Sequence, residues 1–402
     1  MDYPIIFIPG LFGSMGDDVI RGTGEFSFGF AEKVYRPFIE LLNSMGYVEG
    51  VDLFISYYDW KRTVLESVGK YLYPDIERAK LETGSEKVIL IGHSLGGLLG
   101  RGYLKYFIPS NIDKLIMIGT PNLGAVDAYY FWSGGKLPYS RVEDNILYNG
   151  LKLGFMIYAN LFHYLGYMEV WRRMFPVAED LLPSYGYGNY LFWEKNGVRK
   201  EVPIEKMSIG NTFLNRLSNE DGEKVFIIGG KGIFTNKEFE IKEHRGMGKK
   251  WRDGEPIRAY RTNYGDGTVI AKSTLGGLRG NSILIEGNHI DILYKSKDHL
   301  STILNRPVIK EIRRERVEKV DLIFIQDCED INICTYDDNR ISGTRMDIVD
   351  SRVQAMNIGE DGYWIMITGD RELEVEVEAK SSKRNGAIIH RRTIGLNSWQ
   401  ED

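Results

Sequence analysis

The stretch that decides the fold is Lys87-Val88-Ile89-Leu90-Ile91-Gly92-His93-Ser94-Leu95-Gly96-Gly97. After the lysine its first half is continuously apolar, which is the pattern of a strand buried on both faces. Leu95 to Phe107 then has helical spacing. Gly92 and Gly96 leave room for a sharp turn between strand and helix, so Ser94 is exposed at the edge of a sheet. A serine in this context is typical of a catalytic nucleophile, and the flanking strand and helix argue against a chance match.

Strand and helix patterns alternate on both sides of this turn. The predicted strands are Pro4 to Ile8, Val51 to Tyr58, Lys87 to Ile91, Lys114 to Ile118, Val225 to Gly229 and Ser282 to Glu286, and the predicted helices are Phe30 to Met45, Val64 to Glu82 and Leu95 to Phe107. This alternation favours an open, mostly parallel sheet that helices cover on both faces.

The chain has 402 residues, more than one hydrophobic core usually organises, so a large and a smaller domain are expected. We assign residues 1–316 to the large α/β domain and residues 317–402 to a small antiparallel β domain. In the second part, short strand patterns such as Leu373 to Val377 replace the alternation, and Gly369-Asp370 has the composition of a two-residue hairpin turn. No candidate catalytic residue lies there, so a self-contained structural support is favoured over a surface for lipids or partners.

Residues 126 to 222 interrupt the alternation and are predicted to form a helical lid. Within them, Leu147 to Phe175 is rich in leucine, methionine and aromatic residues and carries few charges. A helix that is apolar on most faces must be buried or must meet lipid. The lid is therefore expected to line an acyl-chain pocket and to make transient contact with a lipid surface. The alternative is that the same residues form only the lid's own core.

Composition argues against several classes of function. A net charge of −5 and a pI near 5.8 give no general attraction to nucleic acid. Cys328 and Cys334 are too few for a disulfide framework, and two thiols are favoured over a disulfide. No metal-ligand cluster is apparent, and Gly10 to Gly13 lacks the Lys-Ser/Thr of a phosphate-binding loop, so no metal or other cofactor is expected. No signal peptide or transmembrane run is visible, which predicts a cytoplasmic protein, or an extracellular one if a signal has been trimmed.

Two backbone N–H groups are candidates for stabilising an oxyanion beside Ser94. Leu95 provides one because it begins the helix after the nucleophile. Leu11 provides the other because it follows the first strand, where Gly10 lets the backbone turn. A plain strand-ending turn is the alternative for this loop.

The acid and the base follow from chain order, which for this turn is Ser, then Asp or Glu, then His. Asp266 lies between two glycines, and Asp291 is the fallback. His289 directly follows the last strand pattern, at the sheet edge where a base can reach the nucleophile. His299 begins a helix pattern, so a packing or capping role is favoured for it. His93 adjoins the nucleophile but does not fit the order.

Six landmarks in sequence order resemble the lecithin:cholesterol acyltransferase-like branch of the α/β-hydrolase lipases. They are Pro4 to Ser14, Tyr58-Asp59-Trp60-Lys61, Gly92 to Gly97, Ile118 to Gly124, Gly265 to Val269, and Asn288-His289-Ile290 followed by Asp298-His299-Leu300. The resemblance covers residues 3 to 305, and the lid only loosely. Lys61 departs from the arginine usual after Asp-Trp, and residues 317–402 have no counterpart in the family, so cholesterol is not implied as an acceptor.

The resemblance implies an α/β-hydrolase fold with a lid insertion and an acyl-enzyme intermediate on serine. Carried over residue by residue, it implies a triad of Ser94, Asp266 and His289, oxyanion donors at Leu11 and Leu95, and an acyl pocket shaped by Trp60 and Phe12. The expected activity is cleavage of carboxylic acyl esters, above all lipids. An acyltransferase or phospholipase with the same intermediate is the alternative, and an inactive lipid-binding protein is the alternative from another class.

Overall fold

The computed structural model describes most of the chain. The described residues are 3–19, 21–135, 167–217, 222, 224–242, 250–278, 280–310, 319–335, 340–342, 353–357, 362–369, 375–381 and 387–395. Their contacts divide them into two compact units. The first unit contains the described residues of Met1–Leu11, Val34–Val142 and Ala159–Ile312, and the second contains those of Phe12–Lys33 and Arg313–Asp402.

The secondary structure of the described residues is as follows. The strands are β1 (Ile5–Ile8), β2 (Met15–Asp18), β3 (Thr23–Ser27), β4 (Leu53–Ile55), β5 (Val88–His93), β6 (Ile112–Ile118), β7 (Leu191–Lys195), β8 (Val198–Val202), β9 (Val225–Lys231), β10 (Thr235–Ile241), β11 (Pro256–Thr262), β12 (Asn281–Glu286), β13 (Lys319–Gln326), β14 (Cys328–Thr335), β15 (Arg340–Ser342), β16 (Val353–Asn357), β17 (Gly362–Gly369), β18 (Val375–Ser381) and β19 (Ile388–Gly395). The α-helices are α1 (Glu32–Ser44), α2 (Val64–Ser67), α3 (Tyr73–Thr83), α4 (Leu95–Tyr106), α5 (Ala128–Gly134), α6 (Tyr167–Met174), α7 (Val177–Asp180), α8 (Thr212–Arg216), α9 (Ala271–Leu275), α10 (Asp291–Lys295) and α11 (Lys297–Leu304).

The first unit is built on a six-stranded sheet of order β12-β9-β6-β5-β1-β4. All neighbouring strands in this sheet are parallel. Every residue of β1 and β5, which lie inside the sheet, is buried, and this explains their continuous apolar runs. The parallel sheet, with the serine turn directly after an inner strand, confirms the predicted α/β-hydrolase fold class.

Local sequence signals account for the helices around the sheet. The helix α1 ends just before Gly46, whose φ of 92° stops it as predicted. The helix α2 begins with a capping box in which Thr63 and Glu66 bond each other's backbone N–H groups. The predicted helix from Val64 to Glu82 is divided into α2, a π-helical turn at Val68–Leu72, and α3. None of the helices that the structure describes is long and apolar enough to cross a membrane.

The predicted lid region differs from a purely helical insertion. Its described part contains α5 to α8, but also the hairpin of β7 and β8, which joins β10 and β11 in a sheet of order β11-β10-β7-β8. Asn196-Gly197 forms the turn with φ values of 54° and 75°, and this residue pair strongly favours a hairpin. Most of the apolar stretch from Leu147 to Phe175 lies outside the described residues. In α6, Met168 and Trp171 are buried.

The second unit consists of two sheets around a shared core. Their orders are β19-β13-β17-β16-β2-β3 and β15-β14-β18. The core cluster contains Ile323, Ile325, Cys328, Ile331, Val353, Tyr363, Ile365 and Ile367. Residues 317–402 were expected to form this domain alone, but β2 and β3 also belong to its larger sheet. Asp18 pairs with Asn357, and Val19 N–H donates to the Asn357 carbonyl at 3.2 Å.

The predicted hairpin at Gly369-Asp370 is wrong, because the strands on either side of it belong to different sheets. β17 pairs with β13 and β16, whereas β18 pairs with β14. A glycine-aspartate pair is compatible with a tight turn, but it does not determine which strands pair.

Candidate active site

The turn between β5 and α4 holds Ser94 in a backbone conformation that serine rarely adopts. Its φ is 52° and its ψ is −119°, a conformation that costs about 1–3 kcal/mol and persists only because the surrounding structure imposes it. A side-chain carbon at Gly92 would collide with Gly97 N, and one at Gly96 would collide with the Ile8 carbonyl oxygen. The two glycines are therefore required by close packing of the backbone around the serine, as the sequence pattern predicts.

Asp266 and His289 are hydrogen-bonded to each other. His289 Nδ1 lies 2.8 Å from Asp266 Oδ2, and the His289 backbone N–H donates to the Asp266 carbonyl oxygen at 2.8 Å. The second carboxylate oxygen accepts from Thr268 N at 2.9 Å and Val269 N at 2.7 Å. Because Asp266 is buried and both its carboxylate oxygens are engaged, it can fix the orientation and the tautomer of the imidazole.

The His289 side chain lies next to the turn that carries Ser94. The imidazole rings of His289 and His93 have centroids 4.9 Å apart. A side-chain carbon at Gly119 would lie 3.1 Å from His289 Cε1, and the preceding residue, Ile118, accepts the Ser94 N–H at 2.8 Å. Among the described residues no hydrogen bond joins Ser94 Oγ to His289. Catalytic hydrogen bonds are often long without substrate and tighten in the complex.

The loop after β1 packs directly against the serine. A side-chain carbon at Gly10 would lie 2.9 Å from Ser94 Cβ, so only glycine allows this approach. The Gly10 N–H donates to Tyr35 Oη at 2.9 Å. The neighbouring Leu11 N–H has no acceptor in the described part of the chain, and as the first residue of α4 Leu95 has no intrahelical acceptor. Both N–H groups are thus available to a ligand.

Tyr35 and His93 also belong to the site, although the sequence analysis did not name Tyr35 and set His93 aside as the base. Tyr35 Oη lies 2.8 Å from His93 Nδ1, and His93 Nε2 lies 3.0 Å from the His289 carbonyl oxygen. Burial, with the nearby His289 ring, lowers the pKa of His93 to about 3, so its imidazole is neutral. His93 adjoins the serine in the motif, which is the only local signal for it. Tyr35 lies on α1 and carries no signal beyond the apolar spacing of that helix.

The remaining sequence-predicted residues occupy different places. Trp60 is buried and stacks on Phe175, with ring centroids 5.6 Å apart and planes 10° apart. Lys61, which stands where arginine is usual, forms a buried ion pair with Asp59 at 2.6 Å. Phe12 is buried and belongs to the second unit.

The alternative acid and base stand apart from the hydrogen-bonded pair. Asp291 begins α10 and accepts from the Asn288 side chain at 3.0 Å. His299, in α11, lines a groove with Ile283 of β12 and Phe226 of β9. The described residues contain no cluster of three or more His, Cys, Asp or Glu side chains that could hold a metal ion.

Comparison with known families agrees with these motifs. Residues 22–149 match the family model of lecithin:cholesterol acyltransferase. The chain is similar to that family. The match includes the Asp59-Trp60-Lys61 segment and the Ser94 turn but ends before Asp266 and His289. Together with the site, this LCAT-like segment indicates an ester-acting hydrolase or acyltransferase.

Several solved structures are distantly similar to the LCAT-like chain. A gene product of Listeria innocua is 15% identical, with a TM-score of 0.35 and coverage of 78% of this chain and 97% of that chain. A lipase of Bacillus licheniformis in its propeptide form is 13% identical, with a TM-score of 0.34 and coverage of 98% and 74%. The naproxen esterase of Bacillus subtilis is 10% identical, with a TM-score of 0.35 and coverage of 76% and 83%. At these scores the similarities carry no conclusion about activity. No curated protein matches the chain.

Proposed function

We propose that this protein is a serine hydrolase that cleaves carboxylic acyl esters through an acyl-enzyme on Ser94. The observation that carries this proposal is the hydrogen bond between buried Asp266 and half-buried His289, with 2.8 Å between Oδ2 and Nδ1, beside the strained serine turn. A carboxylate that orients an imidazole next to a partly accessible serine is the arrangement that activates a hydroxyl nucleophile.

The reaction has two steps that share one base. Ser94 Oγ attacks the ester carbonyl while His289 Nε2 takes the hydroxyl proton, and the carbonyl oxygen becomes an oxyanion that accepts from Leu11 and Leu95 N–H. The tetrahedral intermediate then expels the alcohol, which leaves with the proton from His289. Water next attacks the acyl-enzyme, giving its proton to His289, and the carboxylic acid leaves as Ser94 recovers its hydroxyl proton.

A cluster of aromatic side chains that joins Trp60 to helix α6 supports an ester with a long acyl chain as the substrate. Trp60 stacks on Phe175, which in turn contacts Trp171 and Phe131 at ring-centroid distances of 4.8 and 5.4 Å. Pockets lined by aromatic and aliphatic side chains with few polar groups suit apolar ligands. We therefore propose a lipid or another long-chain ester as the substrate, with Trp60 as a candidate pocket residue.

The decisive test is the Ser94→Ala variant. Its turnover of p-nitrophenyl esters should fall by about 10⁴- to 10⁶-fold, because the nucleophile is lost while the fold does not depend on the hydroxyl. A fluorophosphonate should label the wild type at Ser94 and leave Ser94→Ala unlabelled. Ser85→Ala, which changes a serine in the loop before β5, is the matched control and should retain turnover. An active Ser94→Ala protein would contradict the proposal.

Hydrolysis and acyl transfer differ only in which nucleophile attacks the acyl-enzyme. Adding a medium- or long-chain alcohol to the assay and measuring ester formation against acid release distinguishes them. An inactive lipid-binding protein would bind long-chain esters in the same experiment without releasing p-nitrophenol and without reacting with fluorophosphonate.

A further inference from the structure

A continuous chain of hydrogen bonds links the three segments that form the proposed site. It begins at the Gly10 N–H in the oxyanion loop, passes through Tyr35 Oη and the His93 ring, and ends at the His289 carbonyl oxygen. The three distances are 2.9, 2.8 and 3.0 Å. Both side chains in the middle are 2% exposed, so water does not compete for these bonds.

The direction of every bond in this chain is determined by its ends. The His289 carbonyl oxygen can only accept, so His93 Nε2 carries the proton and donates it. Because the buried imidazole is neutral, Nδ1 then has no proton and must accept from the Tyr35 hydroxyl. The tyrosine oxygen keeps a lone pair, which accepts from the Gly10 N–H. Each group therefore has its partner in a single proton arrangement.

We propose that Tyr35 and His93 are positioning residues that hold the oxyanion loop and the base-carrying loop in register with Ser94. This inference rests on the proposed function, since it assigns these loops their catalytic roles. Tyr35 fixes the peptide before Leu11, and His93 fixes the peptide of His289 from the position adjoining the serine. Neither side chain is assigned any contact with the reacting atoms.

The first test is Tyr35→Phe, which keeps the ring and removes the hydroxyl. The Gly10 N–H and His93 Nδ1 both lose their partner, so the oxyanion loop is no longer tied to the His93 ring. We expect kcat per fluorophosphonate-titrated site to fall about 10- to 100-fold, because misplacement by about 1 Å can cost that much, with KM nearly unchanged. Tyr103→Phe is the matched control, since Tyr103 is also buried but bonds Asn111 near the end of α4. It should retain kcat.

The second test is a double-mutant cycle with His93→Gln, whose side-chain amide can still donate toward the His289 carbonyl oxygen. If both residues act through one chain of bonds, kcat of the double variant should be about the same as kcat of the less active single variant. Two independent losses that multiply would overturn the proposal. So would full kcat per titrated site in Tyr35→Phe, because a merely structural role changes the amount of folded protein and not its turnover.

A third measurement does not depend on catalysis. Nitrogen NMR of protein labelled at histidine should show His93 as the neutral tautomer protonated at Nε2 from pH 6 to 9, and Tyr35→Phe should shift the Nδ1 resonance because that nitrogen loses its hydrogen-bond donor. An Nδ1-protonated ring in the wild type would overturn the inference whether or not the protein cleaves esters. A wild type that neither cleaves esters nor reacts with fluorophosphonate would instead overturn the proposed function, and with it the roles assigned to the loops.

Discussion

Gly10, Gly92 and Gly96 show at the scale of single residues how this site is assembled. Each of them stands where a side-chain carbon would meet the serine or the backbone around it. A nucleophile in the sharp turn after a strand needs backbone segments on three sides to pack very closely. Only glycine permits this approach, because any other residue would add a side-chain carbon. The requirement is steric, so the motif can be recognised in a sequence from the glycine spacing together with the flanking strand and helix patterns.

The base should be His289 and not His299. His289→Ala removes the group that Asp266 orients, so turnover of a short-chain ester should fall by about 10⁴-fold or more. His299→Ala, the matched control, changes a histidine that lines a groove against β9 and β12 and should leave turnover within about threefold of the wild type. Steady-state kinetics on both variants checks this, and the reverse result would assign the base to His299.

The sequence predicts the turn that carries Ser94 and the acid–base pair, but not the residues that support them. Asp266 and His289 are 23 residues apart, yet Asp266 lies between two glycines, His289 directly follows a strand pattern, and both fit a known chain order. Tyr35 and His93 are 58 residues apart and meet only because α1 packs beside the end of β5. A tyrosine at an apolar helix position predicts burial, but nothing local to it predicts which polar group its hydroxyl will reach.

At the scale of elements, α7 of the insertion caps α2, and both helices lie in the first unit. The Asp180 carboxylate accepts the Val64 N–H at 2.7 Å, where the first turn of α2 has no partner within its own helix. Burial raises the pKa of Asp180 to about 7, and the neighbouring Glu179 and Glu66 charges act in the same direction, against the Val64 hydrogen bond. The folded protein therefore keeps a proton on Asp180 that the unfolded chain loses near pH 4.

This difference in proton binding makes stability fall as the pH rises. Between about pH 4 and pH 7 the folded state binds more protons than the unfolded state, so the free energy of unfolding decreases, by about 1.4 kcal/mol per unit of pKa shift. Asp180→Asn keeps an acceptor oxygen without the charge, so its melting temperature should decline less than that of the wild type from pH 5 to 8. Glu82→Gln, at an exposed position of α3, is the control. Equal pH dependence of Asp180→Asn and wild type would refute the explanation.

The elements that sequence predicts best here are those buried on both faces. β1, Val88–Ile91 of β5 and Leu115–Ile118 of β6 are uninterrupted apolar runs, and short runs of this kind beside turn residues are typical of fully buried strands. β2 is the opposite case, because Met-Gly-Asp-Asp has neither an apolar run nor an alternation. It pairs with the neighbouring β3, but its place in the larger sheet depends on the distant strand β16, and that information is absent from its own residues.

At the scale of the whole molecule, the described part of the second unit is made from two separate stretches of chain, Phe12–Lys33 and Arg313–Asp402. Phe30 contacts Trp364 with ring centroids 4.7 Å apart, and Met15 and Met356 both lie against Gly29. Sequence analysis treated residues 317–402 as self-contained. Removing them would also remove the partners of apolar side chains in Phe12–Lys33, which lie in sequence directly after Leu11.

We therefore expect deletion of residues 313–402 to give a protein that aggregates and has lost most turnover, even of a soluble short-chain ester. Trp364→Ala, a milder change, should lower the free energy of unfolding by about 3–5 kcal/mol because the side chain is fully buried. Trp193→Ala, at a half-buried position on β7, serves as the control. Calorimetry and turnover measure both effects, and a soluble, folded deletion variant with full turnover would show that this part of the second unit is dispensable.

The pairing of Asp18 with Asn357 also means that β2 is synthesised well before its partner strand β16. About 340 residues separate the two strands, and a ribosome that adds about 5–20 residues per second needs about 20–70 s to make them. During that time β2 and β3 have been synthesised but the other strands of their sheet have not. Met15, Phe28 and Phe30 therefore lack the apolar partners that bury them in the folded protein. Chaperone occupancy of the nascent chain should concentrate on this early segment and end only when β16 emerges from the exit tunnel.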